Sequence, residues 1–157
     1  IFGTFIIKFV LYINEVKIRE DFQMIVVRNT EDLKSDIVRE PGAKQTTLKR
    51  LIDTPDGADR YVMTLFHLEA NGSTPPHYHD WEHEILVLEG SCQLQKPHEN
   101  EEITIKTNDV IFIPRNEPHG FYTKEGQECK FIVVAPTERP PINNYFLSDE
   151  PYQYTNK

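Results

Sequence analysis

Cysteine is scarce: Cys92 and Cys129 are the two in 157 residues, too few for a disulfide framework. Each sits in an apolar or alternating run, so both read as buried free thiols of a reducing, cytoplasmic setting. Basic charge is also short, with 17 Lys and Arg against 25 Asp and Glu and a net charge of -8. A nucleic-acid or anionic-membrane surface would need a basic patch that this balance does not favour. The apolar opening IFGTFIIKFVLYI is interrupted by Lys8 and falls short of the roughly 20 residues a spanning helix needs. No Gly-rich phosphate loop, nucleophile elbow, CxxC pair or helix-turn-helix is present, which argues against nucleotide hydrolysis, serine chemistry and DNA-binding regulation.

What remains fits one domain able to bury its own core. From Tyr61 the chain runs through RYVMTLFHLE, HEILVLEG, SCQLQ, EEITIK, DVIFIP, HGFYTK and CKFIVVAP, short β-branched and aromatic segments separated by turn residues. That spacing predicts an all-β sandwich or barrel. A helix is expected only over 29–40, NTEDLKSDIVRE, with Asn29 or Thr30 as N-cap and Pro41-Gly42 as its stop. Met24 opens MIVVRNTEDLK and would serve as a start, which leaves 1–23 as an extension or an extra strand. The barrel domain is expected over 24–136. Residues 137–157, rich in Pro, Asn and Tyr, read as an irregular arm that Tyr145 and Phe146 pin to the body.

Three of the six histidines fall within PPHYHDWEHE, residues 75–84. In extended backbone His77, His79 and His83 share a face with Ile85 and Val87, while Glu82 and Glu84 take the other. A turn at Asp80-Trp81-Glu82 would break that parity and still return His83 towards the first two. His119 follows Pro118 at the head of a later strand and offers a fourth imidazole. Trp81 reads as packing or the lip of a pocket, His67 as a half-buried strand residue, and His98 as a solvated loop residue.

At these residues the chain resembles the cupin superfamily, whose first motif reads G-x5-H-x-H-x3 or x4-E-x6-G and whose second reads G-x5-P-x-G-x2-H-x3-N. His77 and His79 match the H-x-H pair, Gly90 the closing glycine, Pro114 the proline and His119 the histidine of the second motif. His83 stands where the family usually has glutamate. Asn71, Asn108 and Asn116 replace motif glycines, as suits turns needing positive φ, and Thr123 replaces the motif asparagine. The segment from about residue 42 to 136 further resembles small single-domain cupins with an H-x-H-x-W-E-H-E signature.

The resemblance implies a double-stranded β-helix, or jelly-roll barrel. It also implies one divalent transition metal ion per chain (Fe, Mn, Ni, Zn or Cu) on His77, His79, His83 and His119, and a cavity lined by Ile85, Val87 and Phe121. Four neutral nitrogens disfavour Mg and Ca, and loss of the usual glutamate leaves the ion a stronger Lewis acid towards an anionic ligand. The expected partner is a small molecule, and the first expectation for activity is a dioxygenase. A redox-neutral isomerase, cyclase or lyase and a non-catalytic binding module are the alternatives. A homodimer is expected because small cupins usually pair and residues 1–13 would otherwise expose apolar surface.

Overall fold

A computed structural model describes residues 25–139, together with the short strands 144–146 and 151–152. Expectations for 1–24 lie outside the described residues. Nine strands run along the main body: β1 (Asp36–Ile37), β2 (Lys44–Ile52), β3 (Tyr61–Ser73), β4 (His77–Tyr78), β5 (His83–Lys96), β6 (Glu101–Lys106), β7 (Val110–Ile113), β8 (Gly120–Tyr122) and β9 (Cys129–Pro136). Two more, β10 (Asn144–Phe146) and β11 (Pro151–Tyr152), follow in the segment read as an irregular arm. β10 pairs with β4, setting Tyr145 opposite Tyr78 and Phe146 opposite His77 in backbone register.

The pairing closes on itself. β3 pairs with β9 over Tyr61–Leu68 and with β8 at Ser73, and β5 pairs with the same two strands. β2 extends the sheet beyond β3, while β6 and β7 flank β5. Together these strands form a jelly-roll barrel, as the resemblance implied. Side chains alternate with the pleat: in β9 Cys129, Phe131, Val133 and Ala135 are buried and the residues between them are partly exposed. Leu68, Ile85, Val87, Cys92, Phe121 and Phe131 belong to the main core, and Val62, Trp81 and Ala135 form a smaller cluster.

HEILVLEG and SCQLQ, read as separate runs, form one strand. Gly90 carries it through the join at φ 76°, and the register with β9 shifts between Val87 and Glu89. A Cβ at Gly90 would lie 1.9 Å from the Glu128 carbonyl oxygen, so only glycine lets the two backbones approach here. The bend lets β5 serve β7 and β9 with its first half and β6 and β8 with its second.

The expected asparagine turns are borne out. Asn71, Asn108 and Asn116 have φ of 59°, 72° and 63°, the left-handed region in which Asn is the least strained non-glycine residue. The expected helix over 29–40 is not formed. Asn29 does cap, its side chain accepting from the Glu31 N–H at 2.9 Å, but it caps only a 3-10 turn at Thr30–Asp32. The chain then extends as β1, where Asp36 and Ile37 pair with Leu48 and Thr47; the open edge of β2 recruits a segment too short to propagate a helix. Both cysteines are buried and free, as expected. The contact with Cys129, together with burial, pushes the Cys92 thiol well above its ordinary pKa.

Candidate metal centre

His77 and His119 are brought together by their own backbones. The His77 N–H donates to the His119 carbonyl at 2.9 Å and the His119 N–H returns to the His77 carbonyl at 2.8 Å, leaving the two rings 4.5 Å apart. His79 follows β4 in the turn that the sequence raised as an alternative to continuous parity, and that turn brings His83 back at the head of β5. The Asn116 N–H, freed by its left-handed φ, donates to the His79 carbonyl at 2.7 Å and ties this turn to the loop before His119. The His79 ring lies 5.2 Å from that of His119, and the His83 ring 5.6 Å from it.

Three of the rings are oriented the same way. Nδ1 of His77 meets the Pro75 carbonyl at 2.9 Å, Nδ1 of His79 meets that of Trp81 at 2.8 Å, and Nδ1 of His119 meets that of Glu117 at 2.8 Å. A carbonyl only accepts, so each Nδ1 carries the proton and each Nε2 presents a bare lone pair. His77, His79 and His119 offer ligand atoms that all lie within 4.8 Å of one another and could hold a metal ion. His83 joins through His79, the two Nε2 atoms standing 2.8 Å apart. Two nitrogens each about 2.1 Å from one ion at right angles would be separated by about 3.0 Å, so the pair fits a shared ion.

The rings are held neutral. Burial first, then the neighbouring imidazoles, depress His79 to about 2 and His83 to about 3; burial likewise lowers His77 and takes His119 well below its ordinary value. Neutral imidazole is the form that binds metal. Nδ1 of His83 is buried and, unlike the Nδ1 atoms of the other three, closes no hydrogen bond, the Val134 carbonyl being the backbone acceptor that acts on its ring.

Around these rings, Trp81 is buried and stacks on His79, with centroids 4.0 Å apart and planes 3° from parallel. It packs, as expected, and its carbonyl fixes the His79 tautomer as well. Glu82 and Glu84 are exposed. His67 is half-buried and meets Glu128 at 3.2 Å, and His98 is exposed. Ile85, Val87 and Phe121 sit in the packed core at 2%, 0% and 4% exposure. A cleft of about 420 Å³ lies elsewhere, lined in part by Thr74, Pro75, Gln95, Glu102 and Tyr122. Thr123, in place of the motif asparagine, is a brace: its hydroxyl donates to the Glu69 carbonyl and accepts from the Gly72 N–H at 2.9 Å. Sequence reasoning missed the three orienting carbonyls. Each lies two residues from its histidine, a regularity visible only with the turns in place.

The barrel and its convergent histidines define a class that the comparisons bear out. Residues 64–135 match the family described as Cupin domain. The polyketide cyclase RemF from Streptomyces resistomycificus is 58% identical, with 82% of this chain and 91% of that one covered and a TM-score of 0.76. A cupin-2 domain from Rhodospirillum rubrum shares the fold at 17% identity and a TM-score of 0.61, over 85% of this chain and 82% of that one. Auxin-binding protein 4 from Zea mays is 29% identical over 84 residues, 48% of this chain and 40% of that protein. This chain belongs to the cupin superfamily. It spans 40% of the length of the curated relatives it matches. No helix among the described residues is long and apolar enough to cross a membrane.

Proposed function

We propose that this cupin is a metal-dependent, redox-neutral cyclase acting on an enolisable polyketone, with His77, His79, His83 and His119 as the metal ligands. The observation that carries the reading is the 58% identity to a polyketide cyclase over 82% of the chain, joined to a cluster of neutral imidazoles in which the Nε2 lone pairs of His77, His79 and His119 converge and His83 stands 2.8 Å from His79. A divalent ion bound there would act as a Lewis acid for a developing enolate. The chain's own contribution is orientation: the Pro75, Trp81 and Glu117 carbonyls hold three rings in the ligating tautomer, and burial keeps all four uncharged. In such a cyclisation an α-proton leaves, the resulting carbanion attacks a ketone carbon of the same chain, the alkoxide so formed takes a proton back, and that hydroxyl departs with a second α-hydrogen as water. No electrons are exchanged with an oxidant, which separates this reading from the dioxygenase first expected from the sequence.

The test is anaerobic turnover of a linear poly-β-ketone by zinc-loaded protein. Ring formation without oxygen is expected, and it should be lost when His119 is replaced by alanine. Oxygen consumption with a diketone or catechol, and no cyclisation without it, would overturn the reading in favour of a dioxygenase.

The same proposal includes a homodimer, supported by the outer face of β5 and β7 and not by residues 1–13, which lie outside the described residues. Val110 and Phe112 are 78% and 62% exposed. They stand opposite Leu86 and Glu84 in the ladder, with the exposed Leu88 beside them, an apolar patch that favours association. Sedimentation is expected to show two chains per particle; a stable monomer would refute it.

A further inference from the structure

Arg139 lies just past β9, after Thr137 has been fastened by its N–H to the Arg60 carbonyl at 3.0 Å and by its hydroxyl to the Asp59 carbonyl at 2.8 Å. Its guanidinium carbon stands 6.0 Å from the centre of the Trp81 ring, whose own plane stacks on His79. The cation therefore sits beside the candidate metal centre, at the end of the barrel where Val62, Trp81 and Ala135 cluster. Its charge reaches the His83 ring.

Arg28, Arg50, Arg60 and Arg115 each lie within 4.0 Å of an aspartate oxygen. Arg139 and Arg39 have no such partner among the described residues, and of the two it is Arg139 that stands beside the histidines. The acid that acts on it, Asp53, is already engaged: its Oδ2 accepts from Arg50 Nη1 at 3.2 Å and its Oδ1 from the Thr54 N–H at 2.8 Å. The surrounding protein, and then the like charge of Arg50, push the Arg139 guanidinium below its ordinary pKa. In a chain of net charge -8, Arg139 thus stands exposed beside the site with no described carboxylate on it, open to an arriving anion.

We infer that Arg139, with Arg50 behind it, is the anchor for an anionic group of the substrate, so that the substrate class is a polyketone or enolisable aromatic bearing a carboxylate or phenolate away from its reacting end. The inference rests on the proposed reading of the histidines as a metal-dependent site. A guanidinium suits this role because its planar fork pairs with two oxygens of a carboxylate at once. Trp81 contacts both the guanidinium and His79, which places the anchor within one aromatic ring of the histidines.

The experiment measures calorimetric binding of 4-(acetoacetyl)benzoate and of its neutral carboxamide to zinc-loaded protein. Wild type is expected to bind the carboxylate at least about tenfold more tightly than the amide. Arg139→Gln should reduce that preference to less than about threefold while leaving amide binding unchanged, and Arg139→Lys should retain part of it. Equal binding of the two probes by wild type, or a preference that survives in Arg139→Gln, overturns the anchor. If the carboxylate preference follows Arg139 but neither probe depends on zinc, the anchor stands and the metal-dependent reading falls. Absence of binding by both probes overturns both.

Discussion

His79 and His83 face each other Nε2 to Nε2 at 2.8 Å, and only one of the two has its other ring nitrogen committed. The Trp81 carbonyl fixes the proton of His79 on Nδ1, so the contact without metal is an N–H donated by His83 Nε2 to the bare His79 Nε2. His83 Nδ1 is then deprotonated, buried and without a partner.

A metal ion shared by the two rings requires the opposite tautomer of His83, with the proton on Nδ1. In ¹⁵N NMR of imidazole-labelled protein, His77, His79 and His119 are expected to show the Nδ1–H tautomer with and without zinc. His83 should switch from Nε2–H to Nδ1–H on zinc addition. A His83 signal that does not move would remove it from the ligand set.

The depressed histidines make the metal-free protein sensitive to acid. In the unfolded chain these rings take up protons near 6.5, whereas His79 and His83 resist until about 2 and about 3. The stability they represent is whole above 6.5 and is lost as pH falls through the interval below it. The loss is about 1.4 kcal/mol per group for each pH unit. With Glu40, which titrates in the opposite sense over this range, replaced by glutamine, denaturant midpoints of metal-free protein should therefore drop between pH 7.5 and 5.5, and an unchanged midpoint would contradict the burial of these rings.

Glu40 works in the other direction. Burial raises its carboxyl from 4.5 to about 7, so folding is unaffected below 4.5, is progressively opposed as pH rises from 4.5 to 7, and bears the full cost above that. Glu40→Gln should raise stability by about 1 to 3 kcal/mol at pH 8.5 and change it little at pH 4.5, read from the same denaturant curves. Together with the histidines this places the stability maximum of the metal-free chain near pH 6 to 7.

Backbone conformation separates two positions that look alike in the motif. Asn108 holds φ 72° with its N–H on the Val87 carbonyl at 2.9 Å, so Asn108→Gly should stay within about 0.5 kcal/mol, while Asn108→Val should cost about 1 to 2 kcal/mol. At Gly90 the missing side chain matters as well as the φ, because the Glu128 carbonyl occupies the Cβ position. Gly90→Ala should cost about 3 kcal/mol or more, measured by thermal or chemical denaturation.

The barrel was legible because alternation is local: the β9 pattern of buried Cys129, Phe131, Val133 and Ala135 can be read from CKFIVVAP alone. The asparagine turns were legible for the same reason, since positive φ is a property of single residues. The grouping of His119 with the first histidines needed the resemblance, because spacing alone does not bring residues 42 apart into contact. The helix expected over 29–40 failed where local propensity competed with the open edge of β2. Arg139 carried no signal at all, since its significance lies in lacking a partner that no sequence pattern describes.

The closed circuit of β3, β9, β5 and β8 also bears on timing. Its ladders join Tyr61 to Pro136 and Ser73 to Tyr122, contacts of long sequence separation that form slowly and depend on one another. His77, in β4, and His119, just before β8, meet through an isolated bridge beside this circuit. A metal that needs both rings has nothing to bind until closure is nearly done. Its addition should therefore lengthen the lifetime of the folded chain by slowing unfolding, while leaving the rate of folding almost untouched.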